Sequence, residues 1–109
     1  MLRMRVINGP GPNILAMILR RSTAPPAVKE DLENKAGGAV VMFQVPYPDL
    51  YYLADIAEKA GEVTAIEILG SCPHSVGTMA LFGDVASVNA AADAVKTEYA
   101  EMNRSDKHA

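Results

Sequence analysis

The chain has 109 residues, half of them apolar, a size and composition that suit one domain, spanning 1–109, with one buried core. Ten Lys and Arg against thirteen Asp and Glu give a net charge of -3, which removes the electrostatic driving force for nucleic-acid binding and makes an acidic membrane surface an equally poor partner. No apolar run approaches the roughly 20 residues that span a bilayer, and the basic start Met1–Ile7 leads into Asn8-Gly9-Pro10-Gly11-Pro12 rather than a signal-type apolar segment, so a cytoplasmic location is expected.

Arg3–Ile7 reads as a short strand, ended by the Gly/Pro cluster at 9–12. Ile14–Arg20 is rich in large apolar side chains and reads as a second strand, although so short a run does not separate strand from helix by periodicity. Ser22-Thr23-Ala24-Pro25-Pro26 supplies a cap and leading prolines for a short exposed helix over Ala27–Asn34, which Gly37-Gly38 ends. Ala39–Val45 is a β-rich run stopped by Pro46.

Pro48 suits the first turn of a second helix, whose apolar face is Leu50, Leu53, Ala54, Ala57 and Ala60 and whose terminator is Gly61. Two strands follow, Val63–Leu69 and Val76–Phe82, joined by Gly70-Ser71-Cys72-Pro73-His74-Ser75 as a hairpin with a wide tip. Asp84 caps a last helix with the stripe Val88, Ala91, Ala92, Val95 and Tyr99, and the polar tail at 104–109 is expected to fray. The order strand, strand, helix, strand, helix, strand, strand, helix predicts an α+β fold, a mainly antiparallel sheet with helices on one face.

The stretch Leu53-Ala54-Asp55-Ile56-Ala57-Glu58-Lys59-Ala60-Gly61-Glu62-Val63, followed by a strand pair and by Phe82-Gly83-Asp84-Val85-Ala86-Ser87-Val88-Asn89-Ala90-Ala91, resembles the bacterial microcompartment (BMC) domain. The likeness runs from about Ala39 to Ala100. Ordinary members of that family continue past this helix with a strand and a short helix; here comparable elements precede Ala39, so the order resembles the circularly permuted subclass. The resemblance implies a structural shell protein rather than an enzyme: a homohexameric tile in the shell of a bacterial microcompartment, in contact with other shell proteins. In permuted relatives the N-terminal strands join into a small barrel over one pore mouth, which here would draw on residues 1–12.

Gly70-Ser71-Cys72-Pro73 is similar to the Gly-x-Cys-Pro motif of shell proteins from glycyl-radical propanediol-type compartments, which implies an iron–sulfur cluster at the pore, for electron transfer or for cluster transport. Cys72 is the only cysteine, so it forms no disulfide within the chain, but a ring of subunits would gather its copies around one axis, and thiolates are the usual ligands of 4Fe-4S clusters. The competing description of Cys72 is a free thiol in an ordinary hairpin. The same resemblance makes Gly70, Ser71, Cys72, Pro73, His74 and Ser75 pore-lining. His74 is either a pore or metal-ligating imidazole or a solvent-facing loop residue, and the hydroxyls of Ser71 and Ser75 either line the pore or satisfy local backbone. Lys59 aligns with the lysine that family members place at hexamer edges, and Arg20 or Arg21 resembles the basic residue that accompanies it; alone, Lys59 is equally a solvated helix-end lysine.

Two other functions compete. Asn8-Gly9-Pro10 within Val6–Leu15 resembles the N-terminal motif of type II dehydroquinases, but residues 16–46 contain no tyrosine and the only histidines are His74 and His108, so the catalytic set of that family is missing. A small oligomeric regulatory protein that binds a metabolite between subunits is the other alternative.

Overall fold

The computed structural model describes residues 1–34, 38–70 and 75–108, excepting the side chains of 105–108. In chain order these form β1 (Arg3–Asn8), α1 (Pro12–Arg20), α2 (Pro26–Asn34), β2 (Ala39–Pro46), α3 (Tyr47–Ala60), β3 (Thr64–Ile68), β4 (Val76–Gly83) and α4 (Val85–His108). The strands make one antiparallel sheet in the order β1-β2-β4-β3.

The α+β class and the antiparallel sheet hold, with two corrections. Residues 14–20 are helical rather than extended. Pro12 occupies the first helical turn, where its missing N–H costs nothing, and Leu15, Ile18 and Leu19 recur three and four apart on one face. With this segment helical, helices cover both faces of the sheet and not one. Residues 104–108, expected to fray, continue α4. Gly37, half of the expected helix terminator, lies outside the described residues.

Strand alternation divides the side chains into two cores. On one face Val41, Phe43, Val45, Met79 and Leu81 pack against Leu50, Leu53 and Ala57 of α3 and Val88, Ala91 and Val95 of α4, all buried. On the other, Val40, Ala80 and Phe82 pack with Leu19 of α1 and Leu32 of α2. β1 joins this scaffold through Met4, which packs against the first core together with Leu2 just before the strand.

Two junctions set the ends of the hairpin. After α3, the chain turns at Gly61, where a Cβ would stand 2.7 Å from the backbone oxygen of Ser87, so only glycine permits the turn to pass this close to α4. After β4, the Asp84 side chain accepts a hydrogen bond from the Ser87 N–H at 2.8 Å, while its carbonyl accepts one from Val88 N–H at 2.9 Å, starting α4 as the sequence predicts.

Candidate functional site: the β3–β4 connection and its surroundings

β3 and β4 pair from Thr64↔Phe82 to Ile68↔Thr78, leaving the connection at the end of the hairpin. Of the six residues read as pore-lining, Gly70 and Ser75 are described and exposed, whereas Ser71, Cys72, Pro73 and His74 lie outside the described residues. Around Gly70 the space that a Cβ would occupy is open to 4 Å. Ser75 adopts φ 60, a left-handed turn that re-aims the chain into β4.

Both flanks of the connection are tied to the body. On the β3 side, Leu69 N–H donates to the Arg21 carbonyl at 2.7 Å and Thr23 N–H donates to the Glu67 carbonyl at 3.0 Å, around an isolated bridge between Ser22 and Ile68. On the β4 side, Tyr47 N–H, at the start of α3, donates to the Ser75 carbonyl at 3.2 Å. Buried Ser22 secures its own turn through an Oγ–H bond of 2.7 Å to the Leu19 carbonyl. Residues 21–23 and Tyr47 therefore hold the base of the connection. Leu69, 58 % exposed, adds an apolar side chain beside it.

This geometry separates the three basic residues read as an edge group. Arg20 and Arg21 lie next to the end of β3, close to the connection, while Lys59 stands in the last turn of α3, towards the start of β3. The four steps from Thr64 to Ile68 along β3 separate those ends by about 13 Å. Lys59 Nζ pairs with Asp55 Oδ2 at 2.6 Å across one helical turn, and both side chains are exposed.

Three tyrosines mark where helices meet neighbouring elements. Tyr51 Oη donates to Glu67 Oε1 at 2.8 Å, linking α3 to β3, and Tyr52 Oη donates to Glu98 Oε1 at 2.7 Å, linking α3 to α4. Each carboxylate holds the phenol proton and pushes its tyrosine above the ordinary value of 10.0. Tyr99 is shifted down, chiefly by a hydrogen bond from the Met1 ammonium and then by Asn103.

At the opposite end of the molecule a cleft of about 570 Å³ opens between the start of α1, the end of α2 and the β4–α4 junction. Leu15, Leu32 and Phe82 supply apolar walls and Glu33, Glu62 and Asp84 carboxylates. Among the described residues, no three His, Cys, Asp or Glu side chains are grouped to hold a metal ion, and no helix is long and apolar enough to cross a membrane.

The sequence reading missed the clamp made by residues 21–23. Its only local signal is Ser22-Thr23 standing between an apolar segment and Pro25-Pro26, since backbone pairing to β3 carries no side-chain signature.

The BMC domain matches residues 36–107. Among solved structures, the ligand-free GrpU microcompartment shell protein from Pectobacterium wasabiae is 36% identical, with 86% of this chain and 99% of that one aligned at a TM-score of 0.64. The fused permuted hexameric shell protein from the RMM microcompartment aligns over 91% of this chain and 46% of its own at 23% identity and TM-score 0.65. EtuB from Clostridium kluyveri aligns over 97% and 43% at 16% identity and TM-score 0.60. At those identities the last two show the fold alone, and this chain spans less than half the length of either. No curated protein matches it. The dehydroquinase alternative falls with these matches. By sequence and by fold the chain belongs to the BMC domain family, the structural shell proteins of bacterial microcompartments.

Proposed function

We propose that the chain is a circularly permuted, hexameric shell tile whose β3–β4 connection surrounds the central axis, where Cys72 of neighbouring subunits supplies thiolates to an iron–sulfur cluster. The permuted reading rests on one observation: residues 1–34 precede the segment matched by the family, yet β1 pairs in register with β2 along all six of its residues in the same sheet. A segment outside the family's usual order that nevertheless completes the domain is what a permutation produces.

The hexamer follows the description of the permuted RMM relative, and a ring of head-to-tail contacts closes when one rotation repeats to completion. The donor set agrees with a shared site. One cysteine per chain cannot hold a cluster that takes up to four thiolates, whereas copies around an axis can, at the cost of strict six-fold symmetry. The anchoring of both flanks of the connection, Leu69 by Arg21 and Ser75 by Tyr47, supports a repeated placement of its two ends around an axis, and the open space at Gly70 supports close approach of neighbouring copies. When bound, the cluster supplies one-electron redox chemistry across the wall.

Light scattering and anaerobic reconstitution with iron and sulfide test the two parts separately. A six-subunit species that assembles into sheets is expected; a monomer at high concentration, or discrete small oligomers with a tight metabolite site, would overturn the tile. Reconstituted protein is expected to be brown and to carry iron and acid-labile sulfide, both lost in Cys72→Ser. Colourless, iron-free wild-type protein would overturn the cluster and leave the tile standing.

A further inference from the structure

We propose that the hairpin end of the α1/α2-facing side of the sheet is a binding site for small doubly charged oxyanions, formed by Arg3 and Arg5 of β1 with Gln44 of β2 and Thr78 of β4. Alternation along β1 puts Arg3 and Arg5 on the same face, about 7 Å apart along the strand. In the sheet register Arg3 stands opposite Gln44 and Gln44 opposite Thr78, so the three form one row across the sheet; Arg5 starts the next row, opposite Met42. Arg3, Arg5 and Gln44 are exposed on the β1 side of this face, while α1 and α2 pack over Val40 and Phe82 and, towards the β3 margin, over Ile66 and Ile68.

The donors in this row exceed their partners. Among the described residues, the ion pairs join Lys59 to Asp55 and Arg104 to Glu101, and neither Arg3 nor Arg5 faces a carboxylate. Arg5 Nη1 donates to the Met4 carbonyl at 2.8 Å, which leaves four of its five N–H groups, and among the described residues no side-chain hydrogen bond or ion pair engages Arg3. Gln44 Nε2 donates to Thr78 Oγ1 at 2.9 Å, so the Thr78 hydroxyl proton and the second amide proton remain for a ligand. Two guanidinium forks at this spacing match an anion that offers several oxygens, each fork taking a bidentate, charge-assisted pair.

Charge across the molecule reinforces the local geometry. The chain is acidic overall, yet four of its five arginines are at this end: Arg3 and Arg5 on the β1 edge, Arg20 and Arg21 beside the end of β3. Glu33, Glu62 and Asp84 gather around the cleft at the opposite end. An anion is therefore drawn to the hairpin end of the face and repelled from the other. The site is built within one chain and does not depend on the tile reading; in a ring it would recur around the axis.

Arginine modification by phenylglyoxal, followed by peptide mass spectrometry, tests the site in the intact protein. Inorganic phosphate and succinate form the two ligand arms, with sodium chloride at equal ionic strength as the reference. Phosphate or succinate is expected to slow modification of Arg3 and Arg5 by at least about threefold, while exposed Arg104 is unchanged; the arm that protects better tells a phosphate-type ligand from a dicarboxylate. Gln44→Ala is expected to weaken the protection without altering the circular dichroism. Equal slowing at Arg104, no protection in either arm, or Arg3 and Arg5 unreactive without ligand would each overturn the proposal. Light scattering on the same samples keeps the outcomes apart: protection in a monomer would sink the tile and spare this site, and an unprotected hexamer the reverse.

Discussion

The Tyr52 hydroxyl lies 2.7 Å from Glu98 Oε1, fastening the exposed side of α3 to α4 above the core that both helices share. Tyr51, the next residue, makes the corresponding bond to Glu67 on β3. Because each carboxylate accepts the phenol proton, the folded protein holds both protons more tightly than the unfolded chain does, and both pKa values are raised. The stabilisation is thus complete below the unfolded value of 10.0 and disappears as pH rises through the folded values. Denaturation of wild type and of Tyr51→Phe/Tyr52→Phe should show a gap that is constant through neutral pH and narrows in strong alkali. A gap independent of pH would mean that the two bonds contribute through packing alone.

Gly61 and Gly70 are expected to respond oppositely to alanine. At Gly61 the new Cβ meets the Ser87 carbonyl at 2.7 Å, and relieving that contact moves the start of α4, a loss of about 1–3 kcal/mol. At Gly70 the space is empty, so the change in the isolated chain should stay within about 0.5 kcal/mol. Urea unfolding of the two variants measures both.

Asp84→Ala removes the side chain that accepts the Ser87 N–H at the start of α4. The expected loss is about 0.5–2 kcal/mol, with Asp84→Asn recovering most of it, because asparagine caps nearly as well. Thermal unfolding followed by circular dichroism distinguishes the two.

Phe43, 1% exposed, fills the centre of the first core from the middle of β2. Phe43→Ala should cost about 3–5 kcal/mol, against less than about 1.5 kcal/mol for Phe43→Leu. Equal losses would indicate that the core collapses around the shorter side chain.

Much of this architecture was readable in the chain because its boundaries carry local chemistry. Pro46 separates β2 from α3, Gly61 ends the helical stripe of α3, and Asp84 opens α4; each acts through its own backbone or side chain. Residues 14–20 misled for an equally physical reason. A short apolar run fits either period, and the signs that favour helix, Pro12 in the first turn and the spacing of Leu15, Ile18 and Leu19, are fewer than the bulky side chains that favour strand. The surroundings of the connection were harder still. Arg3, Gln44 and Thr78 are far apart in sequence and become neighbours only through strand register, and the clamp at residues 21–23 is made by backbone groups. The family resemblance, in contrast, lay in contiguous stretches and needed no register.

The two margins of the sheet are guarded in different ways. Along β3 the outer backbone groups of Glu67 and Leu69 are taken by residues 21–23, whereas the outer side of β1 has no backbone partner among the described residues. An unpaired strand margin is a template for uncontrolled aggregation, and natural chains commonly protect it with charge. Arg3 and Arg5 therefore also serve solubility: replacing them with branched apolar residues would turn β1 into a sticky seam, while the β3 side would remain closed.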